Sequence, residues 1–187
     1  MGTNRASMAG LALGLALVCG DALSRAQGQD ACESFAWDVH QERAVFASTA
    51  QTLPAGKSVA AAPTLEPNHL YELALVPQDQ VSFAATPGKR MLADGAFAGI
   101  AQLHIAQAGT YRVSLNGTFW IDLASGDHLI ASSEFTGQPH CEAPRKIVQF
   151  TLPAGDVTLQ LSGATTAQVR VAVTAAAATT IVPAPTH

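Results

Sequence analysis

The sequence predicts an all-β protein, an antiparallel β-sandwich of jelly-roll-like type with one short N-terminal helix. From residue 50 onward, apolar and polar residues alternate in short runs that Gly, Pro, Asn, Asp or Ser residues interrupt. No helical pattern separates these runs, which excludes a doubly wound α/β fold. Only 13% of the 187 residues are charged, about half the roughly 25% of globular proteins, which excludes a coiled coil.

Residues 1–26 are typical of a cleaved export signal. Arg5 supplies positive charge, residues 8–20 are apolar or small, and Ser24 and Ala26 fit cleavage after Ala26. The apolar run is shorter than the roughly 20 residues of a membrane-spanning helix. The alternatives are an uncleaved anchor, a buried helix, or a lipoprotein modified at Cys19. Since no second long apolar run follows, we expect a periplasmic or secreted protein without stable membrane insertion after cleavage.

Two cysteines, Cys32 and Cys141, remain after removal of the signal. In an oxidising compartment such a pair usually forms a disulfide, and we predict this bond. Two free thiols or a pair of metal ligands are the alternatives. Zinc is the weaker of these because the pair lacks CxxC spacing.

Residues 33–47, within an N-terminal helical segment 27–48, form the one convincing helix candidate. Asp38 followed by Gln41 resembles a capping box, and Val39, Val45 and Phe46 give an apolar stripe. Because so short a helix depends on packing, we expect it to lie against the main body of the protein.

The predicted sandwich domain covers residues 49–174. Its strands show apolar residues at alternate positions. The tail, residues 175–187, has no periodic face, and we expect it to be disordered. The runs that predict strands are 69–76, 81–83, 97–105, 111–115, 119–123, 146–152, 157–161 and 169–173.

Turn signals separate these runs. Leu-Pro-Ala-Gly occurs at residues 53–56 and again at 152–155, and it suits a type I turn. The short loop around Gly109 joins two runs whose apolar residues all have odd numbers, which fits a hairpin with a three-residue loop. This register places His104 opposite Ser114 and Gln102 opposite Asn116.

Two resemblances follow from particular residues. The run 108–115 (AGTYRVSL), with Leu-Pro-Ala-Gly at 152–155 and 159–161 (LQL), resembles pre-peptidase C-terminal β-sandwich modules of exported bacterial proteins over residues 95–174. That resemblance implies a small jelly-roll-like module. The segment 32–38 (CESFAWD) together with Cys141 is instead similar to a small group of exported proteins sometimes labelled homogentisate dioxygenase. The label implies a cupin-type iron site, which would make the chain a metal-dependent dioxygenase.

Catalytic motifs do not support an enzyme. A cupin iron site needs two or three histidines and a carboxylate, and the chain has no HxH or HExxH. His104, His128 and His140 are the remaining candidates for metal ligands. The chain also has no GxSxG and no phosphate-binding loop. We therefore predict no cofactor and favour a non-catalytic module, with the cupin-like enzyme as the alternative.

One set of residues could bind a ligand through the sheet. If Phe119, Ile121 and Leu123 face the core, alternation directs a tryptophan and three polar residues outward. An indole beside such groups can stack on a sugar ring or peptide while the polar groups hydrogen-bond to it. The alternative is that the tryptophan is buried under the N-terminal segment, against Phe35 or Trp37. The predicted ligand-binding residues are Trp120, Asp122, His104 and Arg112.

The sequence thus predicts an exported binding or structural module whose partner is a carbohydrate, a peptide or a protein. A nucleic-acid partner is excluded because ten Lys and Arg residues against 14 Asp and Glu give a net charge of −4.

Overall fold

The computed structural model describes Cys32, residues 34–89 and residues 95–176. The predicted export signal and most of the predicted tail lie outside these residues. Among the helices described, none is long and apolar enough to cross a membrane. In chain order the helix and strands are α1 (His40–Phe46), β1 (Gln51–Pro54), β2 (Thr64–Leu65), β3 (Leu70–Ala74), β4 (Val76–Pro77), β5 (Phe97–Ile105), β6 (Gly109–Leu115), β7 (Trp120–Ser125), β8 (His128–Ile130), β9 (Ser132–Gly137), β10 (Lys146–Leu152), β11 (Gly155–Ala164) and β12 (Gln168–Ala175).

The strands form two sheets that enclose one core, so the all-β sandwich-like fold is confirmed. We name them sheet A, with the order β1-β3-β12-β6-β10-β9, and sheet B, with the order β2-β5-β11-β7-β8 and β4 beside β5. The alternating apolar residues of both sheets point inward, as the period-two pattern predicts. The largest fully buried side chains include Phe150, Leu73, Leu103, Leu115, Leu123 and Leu159.

Both sheets are mixed, which corrects the prediction of a purely antiparallel sandwich. β1 pairs parallel with β3, and β2 pairs parallel with β5, at one edge of each sheet. The physical reason lies in the order of the strands along the chain. β2 belongs to the sheet opposite β1 and β3, so the chain crosses to sheet B and returns before β3 begins. A connection of that length allows a parallel pair, which a tight turn does not.

The predicted hairpin between the runs around His104 and Ser114 is wrong. β5 pairs with β11 in sheet B, whereas β6 lies between β12 and β10 in sheet A. His104 is opposite Asp156, and Ser114 is opposite Ile147 and Ala172. Alternation gives the face that each strand turns to the core. It does not distinguish a neighbour in the same sheet from a strand in the facing sheet, because both share that core.

The helix is shorter than predicted and spans His40–Phe46 rather than residues 33–47. The carboxylate of Asp38 accepts a hydrogen bond from the backbone N–H of His40 at 2.9 Å, and residues 34–39 before it form bends and irregular backbone. Phe46 packs against Leu70 and Ala172 on the outer face of sheet A. The predicted Cys32–Cys141 disulfide is present and joins this N-terminal segment to the loop before β10.

The run around Val81 and Phe83 is not a strand, contrary to the prediction. A 3-10 turn spans Gln78–Gln80, and residues 81–89 run irregularly beside the outer face of sheet B. Side chains of the sheet hold this backbone in place of a strand ladder, as Gln160 does at Ala85. Val81 and Phe83 are half-buried in that position. We name residues 81–89 the covering loop.

Candidate functional site

The structure divides the four predicted binding residues among three places. Trp120 and Asp122 are neighbours at the start of β7 in sheet B. His104 lies two strands away on β5, where its ring nitrogen is 2.7 Å from the Asp156 carboxylate. Arg112 belongs to β6 in sheet A. A common binding face for all four residues is therefore not formed, because β5 and β6 belong to different sheets.

Asp122 is a buried carboxylate that fastens the covering loop to sheet B. One oxygen accepts the indole N–H of Trp120 at 2.9 Å, and the other accepts the backbone N–H of Gly88 at 3.0 Å. Burial raises the pKa of Asp122 above its ordinary value of 3.8, although these two donors and the Lys146 ammonium group lower it in part. Both acceptor oxygens are thus occupied within the protein.

Trp120 is half-buried, and its indole has two ammonium groups close by. The Nζ atom of Lys146 lies 5.2 Å from the ring centroid, and that of Lys89 lies 5.6 Å from it. Lys146 also donates a hydrogen bond to the carbonyl of Phe119 at 2.7 Å. Burial, and then the charge of Lys89, lower the pKa of Lys146. Among the described residues, the groups beside Trp120 thus include these lysines and Asp122, whereas residues 36–38 of the N-terminal segment contact sheet A and not Trp120 as the burial alternative expected.

Arg112 instead lies beside the other tryptophan. The guanidinium carbon of Arg112 is 4.9 Å from the centroid of the Trp37 ring, a cation–π contact. Trp37 reaches this position because the disulfide holds the N-terminal segment over the outer face of sheet A. The backbone N–H of Ala36 adds a hydrogen bond to the Thr136 hydroxyl at 3.3 Å. The prediction grouped Arg112 with Trp120, whereas the tryptophan beside Arg112 in the structure is Trp37.

A polar groove of about 680 Å³ opens beside this pair. Its lining residues include Trp37, Arg112, Gln149, the exposed Glu134 and Gly109. The Nε1 atom of Trp37 is buried, and it meets no hydrogen-bond acceptor within the described residues. We name this space the Trp37 groove.

Hydrogen bonds fix the orientation of Arg112 in the groove wall. Its Nε donates to Gln149 at 3.0 Å, and one terminal nitrogen donates to the carbonyl of Asp38 at 3.1 Å and to Glu42 at 3.2 Å. Glu42 is fully buried on α1 and also accepts the hydroxyl hydrogen of Thr174 at 3.0 Å. The arginine is thus pre-oriented in the absence of a ligand, which lowers the entropic cost of binding.

The histidines considered as metal ligands do not converge. His104 pairs with Asp156, His128 lies 3.3 Å from the carboxylate of its neighbour Asp127, and His140 is exposed. Within Cys32, 34–89 and 95–176, no three His, Cys, Asp or Glu residues lie close enough together to hold a metal ion.

Sequence reasoning missed Trp37, Gln149 and Glu134. Alternation along β10 directs Gln149 outward between Val148 and Phe150. The sequence pattern alone could therefore have identified Gln149 as an outward polar residue. The predicted disulfide indicates roughly where Trp37 lies. The bond from Cys32 to Cys141 holds the residues just after Cys32 near the loop between β9 and β10. No protein-family model matches this sequence, and no curated protein matches it.

Proposed function

We propose that this chain is an exported, non-catalytic binding module that takes a carbohydrate in the Trp37 groove. The observation that carries the proposal is the pairing of Trp37 with a fixed Arg112 in an open polar groove. A volume of about 680 Å³ falls within the roughly 300–1,000 Å³ of small-molecule sites.

The groups in the wall favour a sugar over an apolar ligand. An indole offers an apolar face to the C–H groups of a sugar ring, whereas amide, carboxylate and guanidinium groups are planar and match neighbouring hydroxyls. Gln149 and Glu134 supply acceptors, and Arg112 supplies donors. The N–H of Trp37 is one more donor that has no acceptor within the described residues.

The disulfide and the first 26 residues support the export part of the proposal. The disulfide is a bond that persists in oxidising compartments, and residues 1–26 have the order of charge, apolar run and small residues of a signal. Expression of the full chain in a bacterium with a periplasm, followed by mass spectrometry of the product, tests this part. We expect a chain that begins near Gln27. A retained apolar N-terminus would contradict export by cleavage.

Tryptophan fluorescence tests the groove because the described chain has only two indoles. In Trp120→Phe, the fluorescence emission reports Trp37 alone. We titrate this variant with a panel of soluble oligosaccharides and expect the emission maximum to shift, with saturation, on addition of one class of sugar. Trp37→Ala should weaken the affinity for that sugar by about 10-fold or more, as measured by calorimetry.

The control is Trp120→Phe itself, which should bind as tightly as the unaltered protein. Trp37 emission that stays unchanged across the panel would contradict the carbohydrate proposal. An equal affinity in Trp37→Ala would exclude this groove as the site. Stoichiometric iron or zinc in the purified protein would favour the metal-dependent enzyme instead.

A further inference from the structure

A second polar site lies where three connections meet, between β6 and β7, between β11 and β12, and before β10. A groove of about 380 Å³ is lined there by Asn116, Thr118, Arg145, Thr165 and Gln168, among others. A second groove, of about 330 Å³, shares Asn116 and Arg145 and also contains Glu142 and Arg170. Arg145 therefore borders both spaces, and we name the pair the Arg145 site.

The guanidinium of Arg145 makes no hydrogen bond within the described part of the chain, and its Nε is buried without a partner. The other arginines near a groove differ. Arg112 has three acceptors, and Arg170 donates to the carbonyl of Phe46 at 3.1 Å. A buried donor without an acceptor destabilises the folded protein, and an acceptor on a ligand or a water molecule would remove that cost.

The groups around Arg145 are suited to an anion. Thr118 and Thr165 present hydroxyls that can donate a hydrogen bond. The side-chain oxygen of Asn116 already accepts the backbone N–H of Arg170 at 2.9 Å, which leaves its NH₂ group as a donor. Several groups that can donate a hydrogen bond thus lie beside an arginine side chain that has no acceptor within the described residues.

We propose that the Arg145 site binds a carboxylate group of a ligand. A guanidinium matches the two oxygens of a carboxylate in a bidentate pair, which a lysine ammonium group cannot do. Glu142 at the second groove adds a negative charge, and this disfavours a dianion such as phosphate. The site is separate from the Trp37 groove and does not depend on the function proposed for it.

Nuclear magnetic resonance of the Arg145 side-chain Nε–H provides a direct test. Acetate, N-acetylglycine and glucuronate are titrated at constant ionic strength, with inorganic phosphate as the contrasting anion. These three represent a free carboxylate, a peptide terminus and an acidic sugar. We expect a saturable shift with at least one carboxylate, at a concentration at least 10-fold below that needed for phosphate.

Arg145→Lys keeps the charge and should weaken carboxylate binding at least 10-fold, as measured by calorimetry. Arg43→Lys is the matched control, since Arg43 lies on α1 and lines neither groove, and it should bind normally. Thr118→Val removes one hydroxyl and should weaken binding several-fold, which keeps the test valid if Arg145→Lys folds poorly. Three results would overturn the proposal: no saturable shift, phosphate binding as tightly as every carboxylate, or Arg43→Lys weakening binding as much as Arg145→Lys.

Discussion

The side-chain amide of Gln160 pairs with the backbone of Ala85, a residue 75 positions earlier in the chain. The N–H of Ala85 donates to the amide oxygen at 2.9 Å, and the amide nitrogen donates to the carbonyl of Ala85 at 3.1 Å. Gln160 is buried on β11 and Ala85 belongs to the covering loop. A glutamine side chain here provides the two hydrogen bonds that a neighbouring strand would otherwise provide.

Replacing Gln160 with Met should therefore destabilise the protein although the volume of the side chain is conserved. It leaves one N–H and one carbonyl of Ala85 without partners, at about 1–3 kcal/mol each. We expect a loss of about 2–6 kcal/mol in the free energy of unfolding, measured with urea. Gln51→Met, at an exposed position of β1, is the control and should change it by less than about 0.5 kcal/mol. Equal effects of both changes would contradict the role of Gln160.

The pairing also shows why the fold was largely predictable from the sequence and the covering loop was not. Inward residues such as Leu103, Val113 and Leu123 are apolar at every second position, and burial of one face enforces that pattern. Val81 and Phe83 show the same alternation over two positions only. In the folded protein the N–H of Val81 donates to the backbone carbonyl of Gln78. Farther along the covering loop, Ala85 and Gly88 bond to side chains of sheet B instead of a strand, which no local pattern reveals.

The candidate site was predictable only in part, for a similar reason. Alternation correctly directs Arg112 away from the core, because Tyr111 and Val113 on either side are buried. It contains no information on which tryptophan lies beside Arg112. That depends on the partners of β6 in the sheet and on the path of the N-terminal segment over it, and both are long-range properties of the folded chain.

The buried Glu42 and the half-buried Arg112 form an ion pair, and we expect the effects of replacing them on the free energy of unfolding to be coupled. Each replacement by Met leaves the other charge with fewer partners and should lower the free energy of unfolding by about 3–5 kcal/mol. The double replacement should cost clearly less than the sum, because it leaves no unpaired charge. Urea unfolding of the four proteins measures the difference, and Glu66→Met, at an exposed position, is the control. Additive losses would contradict the coupling.

The Cys32–Cys141 disulfide closes a loop over a sequence separation of 109, so we expect a large stabilisation from it. In the chain-entropy model a loop of about 100 residues contributes up to about 4.7 kcal/mol. A variant with both cysteines changed to Ala should lose stability up to this amount in urea. Reductant should lower the unfolding midpoint of the unaltered protein and leave the variant unchanged. A midpoint that reductant does not move would contradict a stabilising disulfide.

The buried carboxylate of Asp122 should make stability depend on pH in a direction opposite to that of a salt-bridged aspartate. Since burial raises its pKa in the folded protein above 3.8, the folded state holds this proton more tightly than the unfolded state. The stability that Asp122 contributes is therefore fully present below pH 3.8 and is lost as the pH rises through the raised pKa.

Asp122→Asn removes this titration, so its stability relative to the unaltered protein should improve between about pH 3 and about pH 7. Urea unfolding of both proteins at a series of pH values measures the trend. Asp79→Asn removes an exposed carboxylate and controls for the change in net charge. The difference in the free energy of unfolding between the two proteins also includes the loss of one hydrogen-bond acceptor. Asn has a single side-chain oxygen, whereas the two carboxylate oxygens of Asp122 accept from Trp120 and Gly88. That loss does not depend on pH, so the slope isolates the titration. A slope of the opposite sign would mean that the donors and Lys146 outweigh burial and hold the pKa of Asp122 below 3.8.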